Sequence, residues 1–200
     1  MRQGLLGGTF DPIHNGHLEI AEVVRGRLNL DEVIFMPAGS PRFKGDNPTP
    51  AAHRTEMVRR AIDGKPYFRL STLEIERAGP TYTVDTITEL GARLASRDRI
   101  YFILGWDSLI EFPRWREPDR IIERCFLVAV PRPGSPRPDL DVLEILVPGM
   151  AERVIVLDSP RVDISASDIR RQVTRGEPID RLVPGAVADY ISEQGLYLSE

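Results

Sequence analysis

Leu5-Leu6-Gly7-Gly8-Thr9-Phe10-Asp11-Pro12-Ile13-His14-Asn15-Gly16-His17 is the stretch whose reading decides the fold. An apolar run enters a glycine pair, and beyond the second histidine Leu18, Ile20, Ala21, Val24 and Leu28 recur at helical spacing. The pattern predicts a strand, a tight turn and a helix. Such a turn aims free backbone N–H groups and the positive helix end at one point, which suits a phosphate. His14 and His17 add two imidazoles there, able to be charged or neutral near neutral pH. The plainer alternative is a turn in which the glycines only shape backbone and the histidines are solvated. Zinc is the weakest reading, because no third ligand lies nearby in the sequence.

Outward from this turn, strand-like and helix-like segments alternate. They predict an α/β fold of the Rossmann-like, doubly wound kind, a mainly parallel sheet with helices on both faces. Strands are expected at 3–6, 33–36, 68–71, 100–104, 126–130 and 154–157. Helices are expected at 16–28, 51–62, 84–94 (capped by Thr83 or a neighbour), 140–146, 167–175 and 184–193, with two short ones in 106–124 broken around Pro113. The segment 37–50 reads as a loop and the stretch leading to Pro80 as irregular. The whole of 1–200 is expected to form one domain with a small C-terminal helical extension from about residue 164.

Composition narrows the function classes. The 200 residues are 42% hydrophobic and 28% charged, with a formal net charge of −4. That balance argues against a bulk electrostatic grip on nucleic acid. Cys125 is alone, which excludes a disulfide framework or a zinc ribbon and reads as a buried thiol in a reducing compartment. No apolar run is long enough to span a membrane, and the first residues do not resemble a cleavable leader. A cytoplasmic protein with neither a nucleic-acid nor a membrane partner is expected; oligomeric state is left open.

Three further places look chemical. Ser40-Pro41-Arg42-Phe43-Lys44 follows the second strand, and loops beyond the strands' carboxyl ends share one crevice, so Lys44 is placed with His14 and His17. Alone, such a lysine is a solvated surface charge. In Gly105-Trp106-Asp107, Gly105 lets a flat ligand approach the backbone and Asp107 can accept from a ribose hydroxyl; Trp106 and Trp115 read equally well as packing aromatics. In Ile164-Ser165-Ala166-Ser167-Asp168-Ile169-Arg170, Ser165 and Asp168 predict a capping box, while the two hydroxyls and Arg170 also make a second phosphate cradle.

These strings resemble a known group. GGTFDPIHNGH is similar to the signature of the nucleotidyltransferases that carry an HxGH motif, and ISASDIR to their late ISSTxIR motif. TYTVDTITEL, GWDSLIEFPRW and DRLVPGAVADYISEQGLY resemble the bacterial nicotinate-nucleotide adenylyltransferase branch, so the likeness runs from Gly4 to Tyr197. It implies reaction of ATP with nicotinic acid mononucleotide to give deamido-NAD and pyrophosphate. It further implies that His14, His17, Lys44 and Arg170 carry the catalysis, with Ser165 and Ser167 also on the ATP phosphates. Gly7, Gly8, Thr9, Phe10, Gly105 and Ile164 complete the implied ATP site, with Asp107 near the ribose. Tyr82 and Thr83 would hold the nicotinate carboxylate through backbone amides, and Trp115 would stack on the pyridine ring. The chain departs from the pattern at Phe43, where histidine is frequent, at Ala166, where serine is frequent, and at Trp106, where a small residue is usual.

The chemistry expected from these residues needs no covalent nucleophile on the protein. A mononucleotide 5′-phosphate can attack the α-phosphorus of ATP directly, leaving alignment and charge neutralisation to the enzyme. Mg²⁺ is expected as a ligand of the ATP phosphates, with no protein metal ligands. Two alternatives are carried: the same transfer to nicotinamide mononucleotide, and a non-catalytic nucleotide-binding module on the same fold.

Overall fold

The protein is described here from a computed structural model, which covers residues 1–39, 48–95 and 97–198. Six strands form one sheet, all paired in parallel: β1 (Arg2–Gly8), β2 (Glu32–Pro37), β3 (Phe68–Leu70), β4 (Arg99–Gly105), β5 (Cys125–Val130) and β6 (Val154–Val156), in the order β3-β2-β1-β4-β5-β6. The chain winds outward one way from β1 and the other way from β4. The carboxyl ends of those two strands therefore open a crevice at the point where the winding reverses. The expected α/β, doubly wound architecture is what forms.

Alternation along each strand decides which helices cover which face. Leu6, Val33, Phe35, Tyr101, Ile103, Val128 and Val130 point to one side. There they meet α1 (Asn15–Leu28), α2 (Ala51–Ile62), α8 (Ala166–Thr174) and α9 (Gly185–Glu193) through Val24, Met57, Val58, Ile169 and Val187. Leu5, Met36, Ile100, Phe102, Leu104, Leu127 and Ala129 point to the other. They meet α4 (Thr83–Ala92), α5 (Trp106–Glu111), α6 (Pro118–Arg124) and α7 (Leu140–Leu146) through Ile87, Leu109, Ile121 and Leu143. Each such large side chain contributes about 1.5–3 kcal/mol by leaving water. A one-residue slip of β4 would exchange both sets, so its register is tightly specified.

Element ends fall within two residues of expectation, and two local features depart from it. The stretch read as irregular contains a four-residue helix, α3 (Leu73–Glu76). And α4 ends two residues early, with its N-terminus flanked by Tyr82 rather than capped by a side chain. Trp106 packs with Phe102, Leu104 and Leu109 in the core. Cys125 is buried at the start of β5, and burial pushes its thiol pKa up to about 12, which makes it inert. Among the described residues no helix is long and apolar enough to cross a membrane.

Candidate active site

The β1–α1 turn is assembled from backbone outward. Phe10 takes a left-handed conformation, φ 50°, which turns the chain sharply after the glycines. Its buried ring meets the edge of His17 at 5.0 Å between centroids. His14 then flanks the helix start in extended conformation, and the α1 first turn carries no acidic residue, leaving the positive helix end unopposed. Gly16 is required by space: a Cβ there would lie 2.2 Å from Val162, so only glycine lets the segment before α8 close against α1.

The two imidazoles stack, with centroids 3.6 Å apart and planes inclined by 25°. The His14 backbone N–H donates to Nδ1 of His17 at 3.2 Å, so a neutral His17 carries its proton on Nε2. His14 is 6% exposed, and its Nδ1 has no hydrogen-bond partner among the described residues. Burial first, and then the Arg132 guanidinium, hold the His14 pKa down to about 4. His17 is lowered well below its ordinary value by burial, by His14 and by Arg132. Both rings are neutral at pH 7 in the free protein. They are therefore neutral polar groups, and an anion brought beside them would raise their proton affinity.

A cavity of about 610 Å³ lies in the crevice. Its wall brings together Gly7, Thr9, Phe10, His14, His17, Gly105, Trp115, Ile164, Ser165, Ser167 and Arg170, residues separated by up to half the chain or more. Gly105 again answers to space, because a Cβ would sit 2.4 Å from Asp107 Oδ1. Trp115 is half-buried, its ring held edge-on by Phe102 at 6.0 Å and tilted on Phe112 at 5.3 Å. Ser165, Ala166 and Ser167 present the N-terminus of α8.

Other expected residues sit elsewhere. Gly8, Asp107, Tyr82 and Thr83 do not line the cavity. Asp107 turns to Arg132, its Oδ2 accepting at 2.7 Å, while Oδ1 is buried without a partner among the described residues. Tyr82 and Thr83 stand at the start of α4, with the Arg116 guanidinium 4.3 Å over the Tyr82 ring. Lys44 lies outside the described residues, as do Ser40, Pro41, Arg42 and Phe43. The Ser165–Asp168 capping box does not form: the Ser165 side chain makes no cap bond and Asp168 pairs with Arg171 instead. An arginine one turn away outcompetes the helix end for that carboxylate.

Three residues that the sequence did not single out, Arg132, Asp11 and Arg54, shape the site together with the expected Arg170. Arg132 comes from the proline-rich loop after β5 and lines the cavity. Asp11 is 8% exposed; its Oδ2 accepts from the Thr49 N–H at 3.1 Å and its Oδ1 from the Tyr197 phenol at 2.7 Å. Arg54, 1% exposed, donates to the carbonyls of Thr9 at 2.8 Å and Thr49 at 2.9 Å. Arg170 donates to the Asp11 carbonyl at 2.7 Å, so one of its nitrogens holds the turn while the side chain faces the cavity. Among the described residues no group of three or more His, Cys, Asp or Glu side chains could hold a metal ion.

Comparison with known proteins fits this geometry. Residues 5–172 match the family model described as cytidylyltransferase-like. The chain is 52% identical to a probable nicotinate-nucleotide adenylyltransferase of Dehalococcoides mccartyi, covering 98% of this chain and 97% of that one. It is 46% identical to a protein of the same description from Thermomicrobium roseum, covering 98% and 91%. In fold it is similar to the Plasmodium falciparum nicotinic acid mononucleotide adenylyltransferase complexed with NaAD, with TM-score 0.79, 22% identity and coverage of 98% and 97%.

Proposed function

The chain belongs to the cytidylyltransferase-like family and, within it, to the nicotinate-nucleotide adenylyltransferases, and from that premise we propose that it transfers the adenylyl group of ATP to nicotinic acid mononucleotide, giving deamido-NAD and pyrophosphate. The observation that carries the reading is the single cavity shared by the stacked His14 and His17, Arg170, the N-terminus of α8 and the Trp115 ring. Phosphate-binding groups and an aromatic platform for a flat ring meet there.

The mononucleotide 5′-phosphate attacks the α-phosphorus in line, and the bond to pyrophosphate breaks as the new P–O bond forms. The protein aligns and neutralises. His14 and His17 begin as neutral donors, and the negative triphosphate raises their proton affinity; their stacking opposes both being charged without it. Arg170, Ser165, Ser167 and Lys44 contact the phosphates, and Asp107 exchanges Arg132 for a ribose hydroxyl. The backbone amides of Tyr82 and Thr83 receive the nicotinate carboxylate while Trp115 stacks on its ring. The Asp11 carboxylate is committed to protein partners and the described residues offer no cluster of metal ligands, so Mg²⁺ fits here as an ion held by the ATP phosphates, whose charge it would offset. Both substrates are water-soluble metabolites, and we place the reaction in the cytoplasm.

The test is pyrophosphate release from ATP with nicotinic acid mononucleotide or nicotinamide mononucleotide added separately. Release that depends on the acceptor, with kcat/KM at least about a hundredfold higher for the acid, is expected, because a site with donors for a carboxylate leaves them unmatched by an amide. A preference for the amide would move the assignment to that acceptor. Nucleotide binding with no release in either case would leave only a binding module.

A further inference from the structure

The Tyr197 phenol has no part in the chemistry just described, yet it reaches the centre of the site. Its residue follows α9 and stands 186 positions from Asp11, whose Oδ1 it engages at 2.7 Å. Tyr197 takes a left-handed backbone conformation, φ 64°, a strained choice for an aromatic residue, and Thr174 Oγ1 on α8 lies 2.9 Å from its carbonyl. The backbone is thus bent and tied so that the ring can enter the turn. Burial and the facing Asp11 carboxylate both raise the phenol's pKa, so it stays protonated and donates.

Asp11 has no free oxygen left. Its carboxylate takes Thr49 and Tyr197, and its carbonyl takes Arg170. Arg54 secures the neighbouring Thr9 carbonyl and Thr49. Asp11 stands three residues before His14 in the same turn, and its main-chain carbonyl is held by Arg170, so its anchorage and the placing of the imidazole pair belong to one connected stretch of backbone.

We propose that Tyr197 is a positioning residue for adenylyl transfer: by donating to Asp11 it fixes the turn that presents His14, His17 and Arg170 to the triphosphate. The proposal rests on the adenylyltransferase reading, and its test separates the two. Removing only the phenol oxygen, Tyr197→Phe, leaves Asp11 Oδ1 without its donor while keeping the ring. The expected result is a kcat lower by about ten- to a hundredfold, the cost of small misalignment of reacting groups, with KM for the mononucleotide changed less than about twofold. The second readout needs no turnover. The chain has three histidines, so their imidazole NMR signals can be followed singly. Those of His14 and His17 should shift in Tyr197→Phe while that of His53, which pairs with Tyr190, stays put. Should Tyr197→Phe fail to fold, Thr174→Val removes the tie to the Tyr197 carbonyl from an exposed position and should move the same two signals by less. If the native protein makes no deamido-NAD, the functional reading fails and the histidine signals still decide the positioning role. Unchanged His14 and His17 signals, or an unchanged kcat in an active protein, overturn it.

Discussion

The cavity has two kinds of wall, and they are built by opposite means. Around the β1–α1 turn, polar groups are buried and paired: Arg54 with Thr9 and Thr49, Asp11 with Thr49 and Tyr197, Arg170 with the Asp11 carbonyl. Around Trp115 the wall is apolar, made by Trp115 and Phe102 with Phe112 packed behind, and the charges close in sequence are exposed ion pairs such as Arg114–Glu111. The first wall is rigid because each buried polar group left alone would cost about 1–3 kcal/mol. The second is set by packing area, which tolerates small movements. Handling charge in a transition state calls for fixed donors; receiving a flat ring calls for fit.

The sharpest way to break that contrast is to remove a donor from the rigid wall. His17→Ala should lower kcat by about two to three powers of ten, roughly 3–4 kcal/mol of barrier, with a smaller change in ATP affinity. Steady-state rates with both substrates check it; a native turnover number would show that the imidazole does not act on the developing charge.

Next in size is the dependence of folding on pH. The His14 pKa is held down to about 4 from an ordinary 6.5, so between those values the unfolded chain binds more protons than the native one. The contribution is therefore intact above pH 6.5 and is lost as pH falls toward 4. Urea unfolding at a series of pH values should show stability falling by about 2–3 kcal/mol more over that window in the native protein than in His14→Gln. Parallel curves would mean that the ring is not desolvated.

The smallest effect belongs to the apolar wall. Trp115→Ala should raise KM for the mononucleotide about fivefold and spare the chemical step, consistent with about 1 kcal/mol for an aromatic stack. A fall in kcat as large as that of His17→Ala would erase the distinction between the two walls.

The fold was legible because fully buried parallel strands read as continuous apolar runs bounded by glycine, proline and charge, as at β4 and β5. The imidazole turn was legible for the same local reason, its residues being contiguous. What escaped was everything decided by distance or competition. α3 has no cap and no buried residue of its own, so no periodicity announces it. Asp168 had the right spacing for a capping box, but its carboxylate pairs with Arg171 instead. Tyr197 and Arg54 look like ordinary surface or core positions until the turn is folded around them, because their partners lie 186 and 45 positions away. The one available signal for Tyr197 was its place at the end of the DRLVPGAVADYISEQGLY string, which carried a family likeness but no chemistry.

The stacked imidazoles have a consequence for the end of the catalytic cycle. A pocket whose grip came only from permanent cations would hold a departing polyanion as firmly as an arriving one. Here burial holds two of the groups facing the pocket, His14 and His17, neutral when it is empty, so under the proposed reading their charge would depend on the guest's presence. On that reading the hold on pyrophosphate would weaken as it moves away, because the dry surroundings again disfavour the charged rings.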